Sequence, residues 1–119
     1  MALVSVSLSL GEWFEVKGRR IRVTPMALQH LPSIRDELID VARAGQTITY
    51  GELKERLNLP WAVNGLGRAL DLLSVDCERR GEPSLAALVV TQGTGEVGSD
   101  FDGDPVAERA AVYARERWQ

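Results

Sequence analysis

Apolar and polar residues alternate strictly at the start of the chain. Serines separate four apolar side chains there: Val4, Val6, Leu8 and Leu10. On an extended backbone these four side chains would share one face, opposite the serines. The pattern therefore predicts a half-buried strand that ends at Gly11.

A β-hairpin is predicted next, because two short apolar runs flank a Lys17-Gly18 turn. The apolar residues of the two runs are Trp13, Phe14, Val16, Ile21 and Val23. The second run also carries Arg19, Arg20 and Arg22. We interpret these arginines as a solvated strand face whose charges discourage edge-to-edge pairing. A phosphate-binding patch is the alternative interpretation.

Helical spacing begins after a proline-bounded stretch that contains His30, which is predicted to lie in a loop or to pack. Ser33 can cap a helix there, and the helix dipole favours the carboxylates of Asp36 and Glu37 in its first turn. The apolar residues that repeat at helical spacing are Ile34, Leu38, Val41 and Ala42. Gly45 is typical of a residue that ends a helix.

Two further helices around a turn follow. Thr49 and Glu52 have the spacing of a capping box, so a helix is predicted from Tyr50. It ends before Pro60, because the residue before a proline avoids helical geometry. The next helix is predicted over residues 64–80. Its apolar stripe consists of Leu66, Leu70, Leu73 and Cys77.

A β-wing is predicted after the second of these helices. Residues 85–90 form a short apolar run rich in strand formers. A turn of glycine, threonine and glycine at 93–95 then leads into Glu96 and Val97. Two strands in this place are typical of the wing that follows a recognition helix.

The remaining pattern completes the predicted fold. Asp104 directly before Pro105 is typical of a helix start, and a helix is predicted over 104–118. The fold class is α+β in a single domain, 1–119. Its parts are an N-terminal β-hairpin over 1–24, a winged helix-turn-helix core over 33–101 and the C-terminal helix.

Composition limits what these elements can do. The chain has 119 residues and a formal net charge of −3, which fits one domain but gives the whole molecule no attraction for a phosphate backbone. Any DNA contact must therefore come from a local patch. One cysteine excludes an intramolecular disulfide, and the N-terminus has no basic residue ahead of its apolar ones. These features predict a soluble, cytoplasmic protein without a membrane partner.

The chain resembles a known family between Ile34 and about Phe101. The resemblance rests on Thr49-Tyr50-Gly51-Glu52-Leu53, which opens the first helix of the motif, and on Gly65-Leu66-Gly67-Arg68-Ala69-Leu70 in the second. This segment is similar to the C-terminal, winged helix-turn-helix domain of the alkylguanine DNA alkyltransferases and their non-catalytic alkyltransferase-like relatives. The resemblance implies that the second helix enters DNA.

The resemblance also implies that the family's alkyl-transfer reaction is absent. After the recognition helix the family carries proline, a nucleophilic cysteine, histidine and arginine, whereas this chain has Pro83, Ser84, Leu85 and Ala86. Alkyl transfer needs a thiolate, and Cys77 lies on an apolar stripe where a cysteine behaves as an inert hydrophobe. The protein is therefore expected not to be an enzyme.

Two further positions follow from the family's motif. The family uses an arginine at the start of the recognition helix to fill the stack left by a flipped base. Asn64 stands in that place, and Arg68 lies one turn further along. The family counterpart of Tyr50 contacts a phosphate beside the flipped nucleotide; packing is the alternative role for this tyrosine.

Metal and cofactor chemistry is not expected. No Cys/His cluster has zinc spacing, and neither a Walker loop nor a dinucleotide fingerprint is present. The acidic loop from Asp100 lacks the bidentate glutamate of a calcium loop, because its twelfth position is Ala111. The sequence thus predicts neither a metal site nor a cofactor.

Two functions remain. The favoured one is a non-catalytic DNA-binding protein, a regulator or a repair-associated protein, in which arginine and asparagine read base edges and other basic groups bind phosphates. Its candidate contacts are Tyr50, Lys54, Arg56, Asn64, Arg68, Arg79 and Arg80.

The alternative is a protein-interaction module, such as a toxin-neutralising immunity protein or an adaptor. An acidic surface would there meet a basic partner such as a nuclease, since charge complementarity speeds association and selects the partner. Its candidate residues are Glu96, Asp100, Asp102, Asp104 and Glu108.

Overall fold

The structure is a computed structural model that describes residues 8–16, 18–62, 65–91, 105–115 and 118, with the backbone alone at position 19. Two short strands open the described chain: β1, Trp13–Val16, pairs antiparallel with β2, Arg19–Arg22. Gly18 allows the turn between them by taking a left-handed φ of +77°. The predicted hairpin is confirmed.

The strand predicted ahead of this hairpin is wrong for the residues that can be checked. Leu8 is buried, but Leu10 is 62% exposed, so the two do not share a buried face. A tight turn replaces the strand: the Glu12 N–H donates to the Ser9 carbonyl, and the Ser9 N–H donates to the Glu12 carboxylate. Val4 and Val6 lie outside the described residues.

Helix α1, Pro25–Arg43, begins well before the predicted cap at Ser33. Thr24 is the N-cap, and its hydroxyl accepts a hydrogen bond from the Ala27 N–H at 3.2 Å. The helix continues through Pro32, which costs about 3 kcal/mol in a helix interior, because its long apolar face is buried on both sides of the proline. The end of the helix is as predicted, with Gly45 at a left-handed φ of +66°.

The capping box at the start of the helix-turn-helix segment is confirmed. Helix α2, Tyr50–Leu57, follows the two-residue strand β3, Ile48–Thr49. The Glu52 N–H donates to the Thr49 hydroxyl at 3.1 Å, and the Thr49 N–H donates to the Glu52 carboxylate at 3.0 Å. Hydrogen bonding to Thr49 holds the pKa of Glu52 below its ordinary value. Asn58 ends the helix in a left-handed conformation.

Helix α3, Leu66–Arg79, carries the predicted apolar stripe. Its four members, Leu66, Leu70, Leu73 and Cys77, are all buried. Both α2 and α3 pack against α1. The connection between them, residues 58–65, is longer than the three- or four-residue turn of the tightest helix-turn-helix motifs.

The predicted strand over 85–90 is only partly right. Leu85–Leu88 is a short 3-10 helix, packed among α1, α3 and the last helix, α4, Pro105–Ala114. Only β4, Val89–Val90, is a strand, and it pairs parallel with β3. A short apolar run does not distinguish a buried strand from a buried helical turn. The rest of the predicted wing, including Gly93–Gly95, lies outside the described residues.

These elements surround one hydrophobic core. Its buried side chains come from the segment before the hairpin, from β2, from all four helices and from the 3-10 helix. The fold is α+β, as predicted. None of the described helices combines the length and apolar character needed to cross a membrane.

A buried ionic cluster lies against this core, and no local sequence pattern indicated it. Arg35 of α1 is fully buried and binds both carboxylate oxygens of Glu82, at 2.8 and 3.0 Å. Asp76 of α3 lies 3.9 Å from Arg35 and binds Arg80 at 3.1 Å. Arg115 adds a longer contact of 3.8 Å to Glu82. These ion pairs join α1 to the C-terminal part of α3 and to the segment after α4.

Candidate nucleic-acid interface

The turn between α2 and α3 is held by a lysine that was predicted to contact phosphate. The Lys54 ammonium donates to the carbonyl oxygens of Leu59, at 3.0 Å, and Trp61. Both acceptors belong to the connection after α2. Lys54 therefore fixes the path of the chain towards α3, and it could reach a phosphate only by giving up or sharing these hydrogen bonds.

An aromatic contact fixes the same turn to α1. The rings of His30 and Trp61 meet edge to face, with their centroids 5.5 Å apart. His30 lies within α1 rather than in a loop, so the predicted loop placement is wrong and the predicted packing role is confirmed. Trp61 is half-buried against the core. Contacts from α2 and from α1 thus both hold this segment.

Tyr50 lies at the first position of α2, where the resemblance places a phosphate contact. Its side chain is half-buried and packs against the hydrophobic core. This supports the packing role that was the alternative interpretation. The phosphate contact stays a prediction.

Three arginines predicted as phosphate contacts are held in ion pairs. Arg56 binds Glu37 of α1 at 3.0 Å, and Arg80 binds Asp76 within the buried ionic cluster. Arg79 binds both oxygens of Glu12, at 2.8 and 3.1 Å. The hydrogen bond from Arg79 lowers the pKa of Glu12, and the same bond raises the pKa of Arg79. These contacts join α1 to α2 and the hairpin to α3.

Arg68 is placed differently from these cations. It lies in the first turn of α3, its side chain is exposed, and within the described part of the chain it makes no hydrogen bond or ion pair. Its positive charge is therefore not offset by a carboxylate of the described residues. Of the predicted DNA contacts that the structure describes, Arg68 is the best placed to meet an external anion.

Two glycines lie near Arg68 at the start of α3. Gly65 is the N-cap of α3 and Gly67 lies in its first turn. A Cβ added at Gly67 would meet no atom within 4 Å, so the packing of the protein does not require a glycine there. Because glycine is costly in a helix, its presence suits a position where another molecule approaches the backbone closely.

Within the residues that it describes, the structure does not place the remaining predicted contact residues beside Arg68. Asn64 lies outside the described residues, and so do four of the five residues of the predicted acidic surface: Glu96, Asp100, Asp102 and Asp104. The fifth, Glu108, accepts a hydrogen bond of 2.7 Å from the Ser84 N–H. Glu108 thus joins α4 to the 3-10 helix.

The only cysteine is unsuited to nucleophilic chemistry. Cys77 is fully buried on α3, and burial raises the pKa of its thiol to about 11. The thiolate that attacks an alkyl group is therefore disfavoured near neutral pH. The predicted burial is confirmed. Nearby, the hydroxyls of Ser74 and Ser84 bind each other at 2.7 Å.

A second exposed cationic surface lies on the hairpin. The sequence indicated the arginines of β2 as a phosphate-binding patch, as the alternative interpretation, but not their relation to Trp13. The register pairs Trp13 with Arg22 and Glu15 with Arg20, and residues paired in this way lie on the same face. Counting alternate positions across the Lys17-Gly18 turn would have revealed this face.

Neither metal binding nor comparison with known proteins adds to the description of this interface. Among the residues that the structure describes, no group of three or more histidine, cysteine, aspartate or glutamate side chains could hold a metal ion. Comparison of the chain with protein-family models, curated proteins and solved structures found no match.

Proposed function

We propose that the protein is a non-catalytic DNA-binding protein that uses the first turn of α3 against the duplex. The observation that carries this proposal is Arg68, an exposed guanidinium with no ion-pair partner among the described residues. A guanidinium binds phosphate oxygens or a guanine edge with two parallel hydrogen bonds. Duplex DNA presents both of these groups.

The start of α3 supports the same ligand. The first N–H groups of a helix have no partner within the helix, and the aligned peptide dipoles place a partial positive charge there. The N-cap of α3 is Gly65, which has no side chain to accept from these groups. A phosphate at this end would accept hydrogen bonds from the backbone as well as from Arg68.

The absence of a side chain at Gly67 supports a close approach to the helix backbone. Gly67 lies one residue before Arg68, in open space. A DNA backbone that contacts α3 there would meet peptide groups without a side chain between them. This gives a physical reason for a glycine that costs helix stability and fills no packing need.

The segment after α2 also supports the proposal, because residues 59 and 61 are held in place before the chain reaches α3. The hydrogen bonds of Lys54 and the contact of Trp61 with His30 hold the connection between α2 and α3. A preorganised recognition helix binds more tightly, because little conformational freedom is lost on binding. The burial of the only thiol, Cys77, and its raised pKa argue against alkyl transfer by this cysteine, which supports a non-catalytic role.

Replacing Arg68 with alanine is expected to weaken duplex binding. If Arg68 contacts a phosphate, the slope of log Kd against log salt should fall by about one, and if it reads a base, affinity should fall by about 1–3 kcal/mol. The measurement is fluorescence anisotropy of a labelled duplex, titrated with the purified protein at about 50 and about 200 mM salt, where phosphate-driven binding weakens steeply.

The matched control is Arg43→Ala. Arg43 is also an exposed helical arginine, at the far end of α1, and its loss changes the net charge of the protein equally. Arg43→Ala should bind the duplex like the unaltered protein. Equal weakening by the two substitutions would mean that only the overall charge matters, which contradicts a site at α3.

A further inference from the structure

The outer face of the hairpin, which consists of Trp13, Glu15, Arg20 and Arg22, is exposed to solvent. Trp13 is 54% exposed, although an indole is among the most costly side chains to leave in water. The guanidinium carbons of Arg20 and Arg22 lie 5.0 and 5.9 Å from the centre of its ring. Two cations thus lie over one aromatic ring that is still more than half exposed.

Packing of the hairpin does not depend on this face. The opposite face carries Phe14, Val16 and Ile21, which pack against the core. The hairpin is also fastened by Arg79, which binds Glu12 and lies over the Phe14 ring at 4.7 Å. The outer face contributes cross-strand contacts, but its tryptophan and arginines remain open to a ligand.

We propose that the outer face of the hairpin binds single-stranded nucleic acid. An exposed indole offers a flat surface on which a base can stack, and every base has such a π-face. The two arginines exceed the single glutamate in charge, so the face attracts the phosphates on either side of a stacked base. A single strand presents both groups together, whereas a duplex hides its base faces and an acidic peptide lacks an aromatic ring at each anion.

This surface is distinct from the proposed duplex site. Arg79, which fastens the hairpin, lies near the C-terminal end of α3, whereas Arg68 lies in its first turn. At a rise of about 1.5 Å per residue the two positions are about 16 Å apart along the helix. The inference therefore does not depend on duplex binding, and each surface can be tested alone.

The test is binding of a labelled 12-nucleotide oligo(dT) strand and its oligo(U) counterpart, measured by anisotropy at about 50 mM salt. Binding of both is expected, since stacking does not require the 2′-hydroxyl. Trp13→Ala should weaken binding about 5-fold to about 100-fold, the range for loss of one base–aromatic stack. Leu10→Ala, which removes a neighbouring exposed apolar side chain, should leave binding unchanged.

Further variants keep the test decisive if Trp13→Ala disturbs the hairpin. Trp13→Phe keeps an aromatic face and should bind within about threefold of the unaltered protein, and the Arg20→Gln/Arg22→Gln pair should weaken binding and reduce its salt dependence. No binding of either strand, or unchanged binding by Trp13→Ala, would overturn the proposal. Equal displacement of the strand by polyglutamate of matched charge would also overturn it, because charge alone would then account for binding.

Discussion

Replacing Arg35 with methionine is expected to lower the free energy of unfolding by about 3–5 kcal/mol, the cost of breaking a buried ion pair by removing one partner. Arg35 and the carboxylates of Asp76 and Glu82 have no exposed side-chain surface. Without the guanidinium, Glu82 would lose its contacts of 2.8 and 3.0 Å, both of which are shorter than its 3.8 Å contact with Arg115. A carboxylate buried without adequate compensation is strongly unfavourable. Urea unfolding followed by circular dichroism measures the loss.

The control for this prediction lies on the same helix. Arg43 is 63% exposed and its contact with Asp40 spans 4.0 Å, so Arg43→Met should change stability by no more than about 0.5 kcal/mol. Arg35→Met combined with Glu82→Gln should recover part of the loss, because the second change removes the buried charge that has lost the Arg35 guanidinium. If Arg35→Met were as stable as Arg43→Met, the buried cluster would not stabilise the fold as we describe.

Leu53→Ala is expected to destabilise the protein by about 2–5 kcal/mol, the range for deletion of a fully buried leucine. Leu53 is 0% exposed and is the one fully buried side chain of α2. Losing it removes apolar contacts and leaves a cavity between α2 and the core. Duplex binding should weaken as well. Lys54 of α2 holds the segment that leads to α3 by hydrogen bonds, so a displaced α2 would change the position of α3. Chemical unfolding and duplex titration of the same preparation check both effects.

Leu10→Ala provides the same chemical change at a surface position. Leu10 is exposed, so its replacement should alter stability by no more than about 0.5 kcal/mol. A small loss in both variants would mean that α2 is not anchored through Leu53. A large loss in both would mean that truncation of any leucine is costly, which contradicts the burial that the structure assigns.

The elements with local signals were predicted well from the sequence. The capping box of Thr49 and Glu52 is a reciprocal contact over three residues, and it lies where the sequence placed it. The stripe from Leu66 to Cys77 was recognised because an amphipathic helix repeats its burial every turn. The Lys17-Gly18 turn is also a local signal, because a short turn determines the register of the two strands beside it.

The errors arose where distant contacts outweigh local preference. Pro32 is unfavourable inside a helix, and the prediction began α1 after it; burial of residues on both sides of the proline keeps the helix continuous. The run at 85–90 is apolar throughout, and only its packing among three helices determines that most of it is a 3-10 helix. The pairing of Arg35 with Glu82 joins residues far apart in the chain.

The candidate site shows the same limit. The basic residues of α2 and α3 were visible in the sequence, but their partners were not. Arg56 is bound by Glu37 of α1, and Arg79 by Glu12 of the segment before β1. Only folding brings these carboxylates close, and it leaves Arg68 as the cation suited to an external ligand.

Comparison of Gly67→Ala with the unaltered protein, for both duplex affinity and unfolding free energy, shows whether DNA lies against the first turn of α3. A Cβ at this position meets open space, and alanine is favoured over glycine in a helix by up to about 1 kcal/mol. We expect the unaltered protein to bind the duplex. We expect Gly67→Ala to be more stable but to bind more weakly, because the added methyl group separates the DNA backbone from the helix. If the unaltered protein does not bind duplex DNA at about 50 mM salt, or if the more stable variant binds with unchanged affinity, then DNA does not lie against this turn.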